Sequence, residues 1–165
     1  ALGALLCILA SVSAFPRYKP HEYRPPPPHP PQGQFPQTPT NSEDVYEFLT
    51  HGDHQIYILF IYSHKWAREE TRHPYQARYD MEKQDLMNVI ERYGNNVHFS
   101  EVDVDRGDFT DMLQEMGIKS VDLEDYPVTA VVLDGHGVWV HGPREYHKIR
   151  EKIDEYVENP ESLSY

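Results

Sequence analysis

Cysteine is nearly absent from this sequence, and its scarcity sets the first limits on the chemistry of the chain. One of the 165 residues is a cysteine, Cys7, and it lies in an apolar N-terminal stretch. Disulfide bonds, thiolate nucleophiles and cysteine-ligated zinc sites all need sulfur. The sequence that follows Cys7 therefore excludes all three.

The stretch 1–14, ALGALLCILASVSA, has the pattern of a secretory signal peptide. An apolar run gives way to small residues, and Val12 and Ala14 fit the positions before a cleavage site, which predicts cleavage after Ala14. The expected location is then the secretory pathway, in the endoplasmic reticulum lumen or outside the cell. A truncated membrane anchor is the alternative, since a spanning helix needs about 20 residues. Membrane association is expected only if this segment stays uncleaved.

Basic residues are also scarce, and the acidic excess is concentrated in one part of the chain. The formal net charge is −12. From residue 41 onward there are 12 Lys and Arg against 26 Asp and Glu. Such a surface repels phosphate backbones, which argues against nucleic-acid binding. It suits basic partners or cations, and weak calcium binding stays open beside a role in solubility alone.

Residues 15–40 form a proline-rich segment that predicts an extended tether. Proline fixes φ and removes the amide donor, which favours the solvated polyproline II conformation. Arg24, Pro27 and Pro30 match an Arg-x-x-Pro-x-x-Pro pattern that some proline-binding domains recognise. A spacer is the main interpretation, and a strap lying along a partner is the alternative.

The folded part is predicted for residues 41–159, followed by a tail at 160–165. Helix and strand patterns alternate in the order α-β-α-β-α-β-β-α. The run QIYILFIYS, residues 55–63, is apolar without alternation, which is typical of a central strand covered on both faces. A helix between two strands implies a parallel pair, and DGHG, residues 134–137, predicts a final hairpin. The expected architecture is a three-layer α/β/α fold.

Two helices are assigned apolar faces from their periodicity. In the long helix the predicted buried residues are Met81, Leu86, Met87, Val89, Ile90 and Tyr93. In the last helix they are Tyr146, Ile149, Ile153, Tyr156 and Val157.

Four segments in this order resemble the thioredoxin family. They are ILFIYSHKWAREE, VHFSEVDVD, FTDMLQEMGIKS and YPVTAVVLDGHGVWV. They are similar to the family's active-site strand and loop, its next strand, its following helix and the segment from its cis-proline through the last hairpin. The resemblance implies a thioredoxin-like fold, a mixed sheet with parallel core strands and a C-terminal antiparallel hairpin.

The resemblance breaks where the family carries its pair of cysteines. Alignment of the strand end places Trp66 and Glu69 at those two positions, while a shift of one residue would match Trp66 to the tryptophan before the first cysteine. Neither register supplies a thiolate, which thiol–disulfide exchange requires. The resemblance is therefore to redox-inactive members, similar to domains of protein disulfide isomerases or of calsequestrin, and no enzyme activity and no cofactor are expected.

The degenerate active-site edge is the predicted partner-binding site. The resemblance assigns it Lys65, Trp66, Arg68 and Glu69 from the loop together with Tyr126 and Pro127. In the family the proline is cis, and the backbone before it pairs with an extended peptide. An alternative is that Pro127 only ends a loop and starts a strand. A few extra residues before Pro127 lengthen this loop and add three carboxylates, Asp122, Glu124 and Asp125.

Other candidate sites are weak in the sequence. Ten histidines are present, but none forms a zinc-ligand pattern with its neighbours. Asp103 and Asp105 match the first two ligands of an EF-hand, whose glycine at position 6 and glutamate at position 12 are both missing here. No metal site is predicted. The function predicted from the sequence is non-catalytic binding of a protein or peptide segment, with a low-affinity calcium module or an accessory subunit of a membrane complex as alternatives.

Overall fold

A sheet with helices packed on both faces organises the residues that the structure describes. The structure, a computed structural model, describes residues 38–50, 55–68, 74–142 and 146–158. All of them belong to one compact unit, which spans residues 34–165. The predicted signal peptide, most of the proline-rich segment and the tail at 160–165 lie outside the described residues.

The described elements follow the order predicted from the sequence. They are α1 (Ser42–Leu49), β1 (Ile56–Tyr62), α2 (Tyr75–Ile90), β2 (Val97–Asp103), α3 (Thr110–Met116), β3 (Val128–Leu133), β4 (His136–His141) and α4 (Tyr146–Glu158). Short 3₁₀ turns cover Gly94–Asn96 and Ser120–Leu123.

The sheet is mixed, with the spatial order β2-β1-β3-β4. β1 pairs in parallel with β2 and antiparallel with β3, and β4 completes an antiparallel hairpin with β3. The central position of β1 explains its sequence, because a strand covered on both faces needs apolar residues at every position. From Ile56 to Ile61 every residue is buried.

Two apolar cores lie on opposite faces of this sheet. Leu59 and Ile61 of β1 pack with Val45 of α1 and Met112 of α3. The alternate residues of β1 pack with Leu86 of α2 and with Ile149 and Ile153 of α4. The period of two along β1 thus separates the α1/α3 layer from the α2/α4 layer. The three-layer arrangement predicted from the sequence is confirmed.

Local signals end the elements as expected. The Asn41 side chain accepts a hydrogen bond from the amide of Asp44 at 3.0 Å and caps α1. Gly117 ends α3 with φ of 68°, a left-handed conformation that glycine adopts without strain. Asp134 and Gly135 both have positive φ, 50° and 78°, as a two-residue hairpin turn requires.

The predicted apolar faces are partly wrong. Met81 is 51% exposed and Val157 is 48% exposed, although both were assigned to buried faces. The buried residues of α2 are instead Tyr75, Arg78, Glu82 and Leu86. Their spacing is helical, but two of the four carry charge, so a search for apolar periodicity alone could not find this face.

Candidate functional site

The loop after β1, residues 63–68, lies beside the segment that leads into β3. The strand register explains the proximity, because Ile61 near the end of β1 pairs with Val128 at the start of β3. The amide of Arg68 donates to the carbonyl of Glu124 at 2.8 Å. The two side chains also form an ion pair, with 2.5 Å between Nε and Oε2. Arg68 and the loop before Pro127 are thus held together.

Asp105 closes the base of the 63–68 loop. Its Oδ1 accepts from the Ser63 hydroxyl at 2.6 Å. Its Oδ2 accepts from the amides of His64 at 2.7 Å and Lys65 at 3.1 Å. The Ser63 hydroxyl accepts in turn from the amide of Trp66 at 3.1 Å. One carboxylate therefore organises the turn, in the way that an aspartate caps the start of a helix.

The charge of Asp105 is stabilised by these contacts. Burial acts to raise the pKa of its carboxyl, but the hydrogen bonds from Ser63, Lys65 and His64 and the charge of Lys65 outweigh burial, so the pKa lies below its ordinary value. Lys65 also donates from Nζ to the Asp105 carbonyl at 3.1 Å. The loop is fixed by an ionised carboxylate, and its described residues contain no thiol.

Arg78 of α2 joins the two loops from beneath. Its side chain is 3% exposed. Nη2 donates to the Arg68 carbonyl at 2.8 Å and Nη1 donates to the Asp125 carbonyl. The guanidinium lies over the rings of Tyr75, at 5.1 Å, and Tyr126, at 5.5 Å. These contacts make Arg78 a second link, beside the contacts of Arg68 with Glu124, between the 63–68 loop and the loop before Pro127.

This buried cation is incompletely compensated among the described residues. Its Nε has no hydrogen-bond partner there. The Asp125 carboxylate lies 4.0 Å from Nη1, and half of that side chain is exposed. Burial of a charge is costly unless it is paired and hydrogen-bonded. The buried charge of Arg78 is thus stabilised mainly by the two carbonyls and the two aromatic rings.

A cluster of aromatic side chains lies beside the 63–68 loop. His64 contacts Tyr62 and Tyr75 edge to face, with centroids 5.6 Å and 5.3 Å apart. Tyr62 in turn packs against Tyr79 at 4.7 Å. The Tyr79 hydroxyl donates to Glu101 at 3.0 Å. These rings give the loop a rigid side wall between β1 and α2.

The predicted site residues differ in how accessible they are. Lys65, Trp66 and Arg68 are exposed, and the exposed fraction of Trp66 is 39%. Tyr126 is half-buried beside Arg78, and Pro127 is buried. Glu69 lies outside the described residues. The structure brings Arg68 and Tyr126 to Arg78, while the outward surface is formed by Lys65, Trp66 and Arg68.

The expectation of a cis-proline is wrong for this chain. None of the described residues has a cis peptide bond, so the bond between Tyr126 and Pro127 is trans. The backbone just before it is also engaged, because the carbonyls of Glu124 and Asp125 accept from Arg68 and Arg78. Two backbone carbonyls of the loop before Pro127 are therefore already bonded to arginines of the same chain.

Sequence reasoning missed the two residues that hold the site together. Arg78 was overlooked because the search for buried helix positions counted only apolar residues. Its spacing fits a buried face, since it lies three residues after Tyr75 and eight before Leu86. Asp105 was considered only as a calcium ligand. The signal for both would have been a charged residue at a position where the pattern demands burial.

Metal ligands do not converge in the part of the chain that the structure describes. No group of three or more His, Cys, Asp or Glu residues there could hold a metal ion. Asp103 pairs with Arg106 at 3.0 Å, and Asp105 is engaged by the loop. His51, His54 and His73 lie outside the described residues. Weak calcium binding stays a prediction that calorimetric titration with calcium would test.

The described helices include no candidate for a membrane span, because none is both long and apolar enough. The apolar stretch 1–14 lies outside the described residues.

Comparison with known proteins identifies the fold. No family model and no curated protein sequence matches this chain. Among solved structures, a reduced thioredoxin pre-protein of Schistosoma mansoni is similar with a TM-score of 0.51 and 15% identity, covering 72% of this chain and 95% of that one. A designed protein is similar with a TM-score of 0.51 and 18% identity, covering 74% and 98%. Together with the sheet order and the flanking helices, these likenesses show that the protein has a thioredoxin-like fold.

Proposed function

We propose that this chain is a redox-inactive thioredoxin-fold protein of the secretory pathway. It binds an extended segment of a protein partner through the edge formed by the 63–68 loop and Tyr126. The proline-rich segment serves as a tether. The observation that carries the proposal is that the described residues of the loop after β1 contain no thiol, and that the Asp105 carboxylate, from the segment after β2, holds this loop in place.

The chemistry of the loop supports the absence of catalysis. Disulfide exchange begins with attack by a thiolate. Ser63, Lys65 and Trp66 supply no sulfur, and Asp105 is engaged by three donors from this loop. A carboxylate held by hydrogen bonds is a poor nucleophile and suits a structural role better.

The surface of the loop supports binding. A tryptophan that is two-fifths exposed beside Lys65 and Arg68 combines a large aromatic area with positive charge on an otherwise acidic chain. Tryptophan and arginine are enriched among the residues that dominate binding energy. Asp105 and Arg78 hold the backbone of the 63–68 loop in place. A partner therefore binds this loop with a small loss of conformational entropy.

The redox claim is tested by reduction of insulin disulfides with the full chain and dithiothreitol as the reductant. We expect the rate with this protein to equal the rate without it, while a thioredoxin with its two cysteines accelerates the reaction. The Cys7→Ser variant is the matched control. Turnover that survives this substitution would refute the proposal, and turnover that it removes would assign the activity to Cys7.

The binding claim is tested with an unfolded, reduced and alkylated polypeptide as the probe. The chain has two tryptophans, Trp66 in the loop and Trp139 in β4, so their indole NMR signals report on separate surfaces. We expect the probe to shift the Trp66 signal and Arg68→Glu to weaken that shift. An unchanged Trp66 signal at saturating probe would overturn this site.

The secretory location is tested at the N-terminus of the native protein. We expect mass spectrometry to find Phe15 as the first residue, because signal peptidase would cut after Ala14. An intact apolar segment would instead favour an uncleaved anchor and the membrane-complex alternative.

A further inference from the structure

A groove lies at the opposite end of the sheet from the 63–68 loop. Val128 and His141, near that loop, mark one end of the β3–β4 hairpin, and Leu133 and His136 mark the other. The groove is lined by the C-terminal half of α1, the end of α3 and the turn of the hairpin, and its volume is about 470 Å³. It shares no lining residue with the candidate site already described.

The floor and walls of this groove are largely apolar and aromatic. Leu49, Met116 and Val138 line it together with the rings of Tyr46 and Trp139. Val138 is 42% exposed, on the strand that forms one edge of the described sheet. The Trp139 indole is held in place, since its Nε1 donates to the Met116 carbonyl at 2.8 Å. A fixed aromatic surface of this kind binds with little loss of conformational freedom.

The Tyr46 hydroxyl lies beside the Glu115 carboxylate at this surface. It is shielded from solvent. Burial, followed by a hydrogen bond to Glu115 and the charge of that carboxylate, raises the pKa of Tyr46 to about 12. The group is therefore a neutral donor and acceptor at neutral pH.

The charges around the groove all have one sign. Glu115 lines it directly, and an adjoining depression that shares Tyr46 and Thr50 adds Glu43, Glu47 and Asp111. None of these carboxylates is in an ion pair with another described residue. No lysine or arginine is among the described lining residues of either depression. Aromatic faces beside carboxylates attract a cation in two ways, through the ring quadrupole and through direct charge.

We propose that this groove binds a basic, extended peptide segment of a partner protein, in which lysine or arginine alternates with apolar side chains. The apolar side chains occupy the surface between Leu49, Met116 and Val138. The basic side chains meet Glu47 and Glu115 and the aromatic rings. Within the described residues β4 has no neighbouring strand on its outer side. Its backbone groups there can pair with such a segment, as in the addition of a strand to a sheet.

The test is a titration of the full chain with a peptide of alternating lysine and valine, followed by the indole NMR signals of both tryptophans. We expect the Trp139 signal to shift with saturation and the Trp66 signal to stay in place. Two peptides of equal length serve as probes of specificity, one of glutamate and valine and one of lysine and serine. Neither should reach saturation, because one has the wrong charge and the other lacks the apolar anchors.

A pair of exposed carboxylates gives a matched variant. Glu47→Gln with Glu115→Gln should weaken binding by roughly three- to ten-fold, since partly exposed ion pairs each contribute modestly. Glu91→Gln with Glu151→Gln removes the same charge from the C-cap of α2 and from α4, on the other face of the sheet. This variant should change affinity less than two-fold. Circular dichroism checks that all variants fold.

Three results would overturn the proposal. The first is an unmoved Trp139 signal at the highest lysine–valine concentration. The second is equal binding of the glutamate–valine peptide. The third is a shift confined to Trp66, which would assign the peptide to the 63–68 loop and support the proposed function without this groove.

Discussion

At the scale of single residues, two charged side chains hold the 63–68 loop in place. Asp105 collects donors from three consecutive residues of the loop. Arg78 carries its charge into a nearly dry site and bonds two carbonyls from different loops. Removal of either side chain leaves its hydrogen-bond partners unpaired. Substitutions of this kind lower the free energy of unfolding more than those that remove both partners.

Arg78→Met keeps the length of the side chain and removes the donors. Two carbonyls then lose their partners, so we expect the free energy of unfolding to fall by about 2–4 kcal/mol. Urea unfolding measures it, with the exposed Arg92→Met as the control, expected within about 0.5 kcal/mol of wild type. The Trp66 signal should broaden in Arg78→Met as the loop loosens. Wild-type stability and an unchanged Trp66 signal would show that Arg78 is dispensable.

Asp105→Asn tests the loop tie together with its pH dependence. The pKa of Asp105 is lowered in the folded state, so its contribution is present above the ordinary value of 3.8 and is lost as the pH falls through the lower folded value. We expect Asp105→Asn to unfold about 1–3 kcal/mol more easily near neutral pH and to show a smaller acid-induced loss than wild type. Urea titrations across acidic pH measure both. If Asp105→Asn lost as much stability in acid as wild type does, this role of Asp105 would be contradicted.

At the scale of elements, α2 and α4 meet through a polar contact inside an apolar layer. Glu82 of α2 is 3% exposed, and the Tyr146 hydroxyl of α4 donates to its carboxylate and, at 2.8 Å, to its carbonyl. Arg78 and Glu82 thus occupy one face of α2, the first turned to the loops and the second to α4. The helix is held by specific polar contacts at two points and by Leu86 between the sheet and α4.

Glu82→Gln preserves the acceptor for Tyr146 and removes a buried charge. Burial is the main cause that raises the pKa of Glu82 above 4.5, while the hydrogen bond from Tyr146 opposes it. A raised folded pKa means that stability is complete below 4.5 and declines as the pH rises through the folded value. We expect Glu82→Gln to be about 1 kcal/mol more stable than wild type near neutral pH.

The measurement for Glu82 is urea unfolding from mildly acidic to neutral pH. The difference between Glu82→Gln and wild type should shrink toward acidic pH, where both side chains are neutral. Glu91→Gln, at the exposed end of α2, is the control and should show no such trend. A variant that is less stable at every pH would mean that the charge itself is needed between α2 and α4.

At the scale of the whole molecule, the acidic excess opposes folding through self-repulsion. The residues from 41 onward carry 26 acidic against 12 basic side chains. Salt screens such repulsion over about 10 Å at 0.1 M ionic strength. We expect the thermal midpoint of the full chain to rise as sodium chloride is added at low ionic strength. A midpoint that falls would mean that ion pairs, such as the one between Arg68 and Glu124, outweigh the repulsion.

The two ends of the sheet also present different surfaces. Lys65 and Arg68 surround Trp66 at one end, whereas carboxylates surround Tyr46 and Trp139 at the other. The proposed partner segments have different chemistry for this reason, and the two tryptophans allow each surface to be followed independently.

The order of elements followed from the sequence because each signal for it is local. The unbroken apolar run of β1, the Asn41 cap, the Gly117 stop and the DGHG turn act through neighbouring residues, so they specify helices, strands and turns before any packing occurs. The absence of cysteine after Cys7 was equally readable, since it needs only a count of residues.

Only the tertiary structure decided which charged residues are buried and what they hold. Arg78 meets the carbonyl of Arg68, ten residues away, and that of Asp125, 47 residues away. Asp105 accepts a hydrogen bond from Ser63 of the 63–68 loop, which is 42 residues away in the sequence. The trans bond before Pro127 and the acidic groove likewise depend on how distant segments pack. Local patterns carry no information on such distant contacts, because a buried charge is tolerated only once its distant partners are in place.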